Sequence, residues 1–253
     1  MNYSKYFTCG QRVFLINVDK TRETTIYDSF SATVRACTDE YLDLSPAYKL
    51  SADGSCPYST GTYFKITTES FNMGVEIFAS FENSPRSDVL RFIPKGALEI
   101  YQRRQSQRVD ATLPCLNVPQ KSSLTAFRRE WNRVVADLHS DTPPKLKLVD
   151  TQINISAGGM RMDLSGEPAN LSIMVVDLND EKPPVCVIAE MVWSREQPDS
   201  DLIRCGYRFV NILKEDQKRI LDFVDREVRK QGLSGKGGKL SRELMDEMTG
   251  DIS

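Results

Sequence analysis

Apolar and polar positions alternate over short stretches from Arg12 to Ile100. RVFLINV, the region around SATVRACTDEYLDL, TYFKIT, VEIFASFE and VLRFIP are rich in β-branched and aromatic residues, and polar, glycine-bearing or proline-bearing turns part them. A period of two lays one face of each stretch on a core, which predicts a compact antiparallel barrel and not a helical domain. GALEIY then carries the chain into QRRQSQR, whose charge density predicts a solvent-facing joint between domains. A charged linker with no further role is the plain alternative.

The period changes past that joint. ATLPCLNV reads as a strand, but in SSLTAFRREWNRVVADLHS the residues Leu124, Phe127, Trp131, Val134, Val135 and Leu138 recur at spacings of three and four. That spacing sets them on one helical face, and DTPP supplies a stop. PKLKLVDTQINISAGGMRMDL, LSIMVVDL, PPVCVIAEMVW and CGYRFVNI return to strand character, and KEDQKRILDFVDREVRK is an amphipathic helix. The fold expected is mainly β. It comprises two small antiparallel β-barrel domains, with a helix inserted in the second at about 122–140 and a C-terminal helix. Residues 1–100 form the first barrel, 101–108 the linker and 109–230 the second barrel, and 231–253 read as a flexible tail. GLSGKGGK in that tail does not match GxxxxGK[ST] and follows a helix where a phosphate loop needs a strand.

Composition narrows the partners. The chain has 253 residues, 40% apolar and 27% charged, with a formal net charge of -2, so no global positive field draws long nucleic acid and anion recognition has to be local. No stretch approaches the roughly 18 consecutive apolar residues of a membrane span, so membrane insertion is not expected and a cytoplasmic location is the default expectation. Six cysteines without a CxxC pair and a single histidine, His139, predict reduced structural thiols and no metal site.

Candidate chemistry concentrates in two short stretches. In YQRRQSQRVD, Arg104 and Arg108 set guanidinium forks four residues apart beside Arg103. Such forks grip a phosphate or the O6/N7 edge of guanine through paired hydrogen bonds. In NISAGG, Asn154 offers either end of its amide and Ser156 a hydroxyl, while Gly158 and Gly159 allow a turn or a close backbone approach. A bare hairpin turn is the alternative for the second stretch and a solvated charge run for the first. Trp193 and Arg195 are expected at the same barrel mouth, with apolar packing the ordinary alternative for Trp193.

These stretches resemble the two motifs of the PilZ family of bacterial cyclic di-GMP receptors. The RxxxR motif reads Arg104-Gln105-Ser106-Gln107-Arg108, and the [DN]xSxxG motif reads Asn154-Ile155-Ser156-Ala157-Gly158-Gly159. EMVWSR and CGYRFVNILKEDQKRILDFV resemble the later barrel strands and closing helix of such domains. The resemblance covers about residues 101–230, and residues 1–100 look like the smaller split barrel, PilZN, that precedes PilZ in flagellar-brake-like proteins. The insertion from Pro119 to Pro144 departs from the family pattern. The resemblance implies cyclic di-GMP as a regulatory ligand, no metal, no catalysis and a protein effector, with the oligomeric state left open. Two other classes compete. A nucleotide hydrolase would need an EAL, HD-GYP or GGDEF signature, which the chain lacks. A ligand-independent interaction module would dock a partner on the Leu124/Phe127/Trp131/Val134 face and the N-terminal barrel.

Overall fold

The computed structural model describes residues 3–70, 73–102, 107–119, 122–198 and 200–232. The chain divides into two compact units, Met1–Arg104 with Ser122–Ala126 and Gln105–Lys121 with Phe127–Ser253. Residues 103–106 of the expected linker 101–108, and 233–253 of the expected tail 231–253, lie outside the described residues.

The first unit holds β1 (Arg12–Asn17), α1 (Val18–Glu23), β2 (Ile26–Cys37), β3 (Leu42–Pro46), β4 (Tyr63–Ser70), β5 (Met73–Arg86) and β6 (Val89–Tyr101). Its strands pair antiparallel in the order β1-β4-β5-β6-β3-β2, and β2 pairs back onto β1, so the ring closes and leaves no edge strand. Phe30, Phe64, Phe81 and Phe92 are buried inside it, with edge-on ring contacts among them. α1 was not expected from the pattern. It is a six-residue helix capped by Asn17, whose side-chain Oδ1 accepts a hydrogen bond from the Lys20 backbone N–H at 3.1 Å. VLRFIP was expected to end a strand at Pro94, yet β6 continues to Tyr101. Phe78 pairs with Lys95 while Glu76 pairs with Glu99, so a bulge absorbs the residues between, and Gly96 takes φ +80° there.

The second unit holds β7 (Val109–Pro119), α2 (Leu124–Leu138), β8 (Val149–Ser156), β9 (Gly159–Ser165), β10 (Leu171–Val176), β11 (Val185–Glu196), β12 (Leu202–Leu213) and α3 (Lys214–Lys230), the first residues of α2 being counted with the first unit. Its six strands also close antiparallel, in the order β7-β8-β9-β12-β11-β10, with β10 back on β7. Alternation sorts the faces. Ile153, Ile155, Met160, Met162, Cys205, Tyr207 and Phe209 are buried, while the residues between them point outward.

The apolar stripe of α2 is covered within the chain itself. Leu124, Phe127, Trp131 and Leu138 are all buried, and the Trp131 indole N–H donates to the Cys186 carbonyl of β11 at 2.9 Å. Leu124, Phe127 and Trp131 of the face expected to offer a docking surface are therefore covered, and Val134 is half-buried. α3 packs against β7, β8 and β12 through a stripe that includes Ile220, Phe223, Val224 and Val228.

Candidate functional site

NISAGG forms the hairpin between β8 and β9. Ser156 pairs with Gly159, leaving Ala157 and Gly158 as a two-residue loop. The buried Ser156 hydroxyl donates to the Gly159 carbonyl at 3.2 Å, so it braces the turn. Gly159 answers a close approach. A Cβ there would stand 2.2 Å from the Tyr207 carbonyl oxygen of β12, which no side-chain motion relieves. Gly158 has no such neighbour and no positive φ. The loop is fastened from two sides, since the Phe209 N–H donates to the Gly158 carbonyl at 3.0 Å and the Gln217 amide of α3 donates to the Ala157 carbonyl at 3.2 Å.

The first motif ends beside the second. Val109 pairs with Ile155 and Asp110 with Asn154, so Arg108, exposed just before β7, stands next to the strand that carries Ser156. Arg103 and Arg104 lie outside the described residues.

From Asn154 a row of residues runs around the outer wall. Asp110 pairs with Asn154, Asn154 with Arg161, Arg161 with Gly206 and Gly206 with Trp193, so five strands contribute one position each. The Asp110 carboxylate Oδ1 accepts from the Asn154 amide at 2.9 Å and from an Arg161 guanidinium N–H at 3.1 Å. Gly206 exists for Trp193, because a Cβ there would stand 2.2 Å from the Trp193 indole nitrogen. Trp193 keeps 43% of its surface exposed. Trp193 and Arg195 were expected at a barrel mouth. Their register sets them opposite Gly206 and Arg204, on the outward side of a strand end that is exposed from Val192 to Glu196. Arg204 is engaged by Asp163 through two hydrogen bonds at 2.8 and 3.0 Å, and that guanidinium holds the Asp163 carboxyl below its ordinary value.

Asp110, Arg161 and Gly206 belong to neither motif and were not anticipated from the sequence. A signal for Arg161 was nevertheless present: a two-residue loop at Ala157-Gly158 necessarily sets Asn154 opposite Arg161. Among the described residues no group of histidine, cysteine, aspartate and glutamate is arranged to hold a metal, and no helix is long and apolar enough to cross a membrane.

Residues 102–226 match the PilZ domain family. No curated protein matches the chain. Among solved structures it is similar to the inhibitor of motility MotI/DgrA of Bacillus subtilis, at 14% identity over 90% of this chain and 99% of that one, TM-score 0.36. It is also similar to YcgR of Escherichia coli in complex with c-di-GMP, at 15% identity over 88% and 87%, TM-score 0.33. A third likeness is to the MrkH–c-di-GMP complex of K. pneumonia, at 12% identity over 88% and 90%, TM-score 0.32. With TM-scores under 0.5, these likenesses lend no weight to a functional reading.

Proposed function

We propose that the chain is a non-catalytic receptor for cyclic di-GMP, bound by Arg103, Arg104 and Arg108 of the first motif together with Asn154, Ser156, Gly158 and Gly159 of the second. Trp193 and Arg195 flank the ligand on the outer wall. The observation that carries this reading is the β7–β8 register, in which Arg108 precedes Val109 and Asp110, the partners of Ile155 and Asn154. Arg108, the last residue of the first motif, thereby shares one stretch of wall with the second. The PilZ match over 102–226 supports the same ligand.

The chemistry fits without a metal or a base. The ligand carries two phosphodiester charges and two guanine edges, and arginine forks meet both through charge-assisted paired bonds. An exposed tryptophan adds a stacking surface for a base. Binding then changes the relation of the two units, and a protein effector reads the change, with motility or surface behaviour the expected output.

Calorimetric titration of the full chain with cyclic di-GMP, in metal-free buffer of low salt, tests the proposal. A saturable signal is expected. Arg104→Ala and Arg108→Ala should each weaken binding by roughly 1.5 to 3 kcal/mol, the worth of a hydrogen bond to a charged group, with little change in melting temperature. Wild-type titration curves from both variants would remove the arginine clamp.

A further inference from the structure

The Asp110–Arg161 pair has no evident task in holding the barrel together. Both partners lie in solvent, with side chains 65% and 39% exposed, and exposed ion pairs contribute little to stability. Its geometry does something else. A carboxylate only accepts hydrogen bonds, so Asp110 must face the amide nitrogen of Asn154 and leave the amide oxygen of Asn154 turned away as an acceptor. The same Oδ1 engages one N–H group of Arg161, whose guanidinium carries five donors in a rigid fork. Along one row the wall therefore presents an acceptor at Asn154, donors at Arg161 and, one strand beyond glycine, the exposed indole of Trp193.

That order of groups suits guanine, whose adjacent O6 and N7 can accept two donors of a single fork. Guanine offers N–H donors on its Watson–Crick edge and the O6 and N7 acceptors beside it, whereas adenine lacks both the O6 acceptor and the N1 donor. We propose that Arg161, outside both motifs, is a guanine-specificity residue of the nucleotide site, and that Asp110 is the positioning residue that orients Arg161 and Asn154 together. The inference rests on the receptor reading above and deepens it.

The experiment titrates the full chain with cyclic di-GMP and, separately, with cyclic di-AMP. Variants are Arg161→Ala, Arg161→Lys and Asp110→Asn, with Arg133→Ala as a control, an exposed arginine of α2 paired with Glu130. Arg161→Ala should bind cyclic di-GMP roughly ten- to a hundredfold more weakly, the loss expected for one charge-assisted contact. It should also show a narrowed preference for cyclic di-GMP over cyclic di-AMP, which a merely structural defect would not alter. Arg161→Lys keeps the charge and the stem but loses the fork, so its preference should narrow too. Asp110→Asn should narrow the preference by a smaller factor, and Arg133→Ala should match the wild type. Melting curves identify any variant that fails to fold, in which case Arg161→Lys carries the test. A wild type that binds, with Arg161 variants equal to it in affinity and preference, overturns the assignment of Arg161. A wild type that gives no saturable signal overturns the receptor reading itself.

Discussion

Two adjacent glycines in NISAGG have different reasons to be glycine. At Gly159 the reason is inside the fold, since a Cβ would meet the Tyr207 carbonyl of the neighbouring strand at 2.2 Å and only backbone movement could relieve it. Gly159→Ala is therefore expected to destabilise the second barrel by about 2 kcal/mol, in the range of overpacking changes. Gly158 meets nothing within 4 Å and keeps an ordinary backbone conformation, so Gly158→Ala should change stability by no more than about 0.5 kcal/mol. Urea unfolding of the two variants checks the pair, and equal destabilisation would show that the close approach to Tyr207 is not what fixes Gly159. A loss of cyclic di-GMP binding in the stable Gly158→Ala variant would locate the ligand against that loop. In the sequence the two positions look alike. What separates them is the position of β12, a long-range pairing that the local string GG does not encode.

At the scale of elements, α3 carries a buried charge relay that shapes its pH response. Arg219 donates to Asp180 through two bonds at 2.8 and 3.1 Å and to Asp216 at 2.7 Å. Burial pushes Asp216 above the ordinary aspartate value of 3.8, with Arg219 opposing it, whereas the Arg219 hydrogen bonds hold Asp180 below that value. The two groups act with opposite sign. Asp216 binds its proton more tightly folded than unfolded, so it favours folding below the unfolded value, and that contribution fades as pH rises through the folded value. Asp180 favours folding above the unfolded value and loses its contribution as pH falls through the depressed one. Asp216→Asn keeps an acceptor for Arg219 and removes only the first effect. Relative to wild type, the variant should gain stability as pH is raised from about 4 to 7, read as urea midpoints. A constant difference across that range would mean that Asp216 does not titrate differently in the two states.

Elements were legible where one periodicity ruled. The stretch KEDQKRILDFVDREVRK coincides with α3, and the spacing of Phe127, Trp131 and Leu138 marks the buried stripe of α2. The extent of β6 was not legible, because Pro94 and Gly96 read as a stop, whereas Pro94 pairs with Ala79 and Gly96 falls in a bulge once β5 is alongside. The outer wall was legible in part. Asn154 and Ser156 stood out by their polarity, but Arg161 gained meaning only from hairpin register, and Gly206 only from the indole lying over it.

At the scale of the whole molecule, the first motif sits where the chain leaves one unit for the other, between Arg104 and Gln105. Arg103 and Arg104 precede that crossing while Arg108, Asn154 and Ser156 follow it. A nucleotide held by all of them can bind only those arrangements in which the crossing segment brings its arginines to the β8–β9 hairpin, so ligand selects among arrangements of the two units. Binding to the folded chain alone also stabilises it, by about 2.7 kcal/mol at a ligand concentration a hundred times the dissociation constant. Small-angle scattering should therefore give a changed distance distribution at saturating cyclic di-GMP, together with slowed amide exchange across residues 102–108. Arg108→Ala should show smaller changes at the same ligand concentration, in proportion to its lower occupancy. Identical scattering profiles with unchanged exchange at saturation, in a wild type that binds by calorimetry, would separate the two halves of the reading: nucleotide capture would stand, and its conversion into a new arrangement of the two units would not.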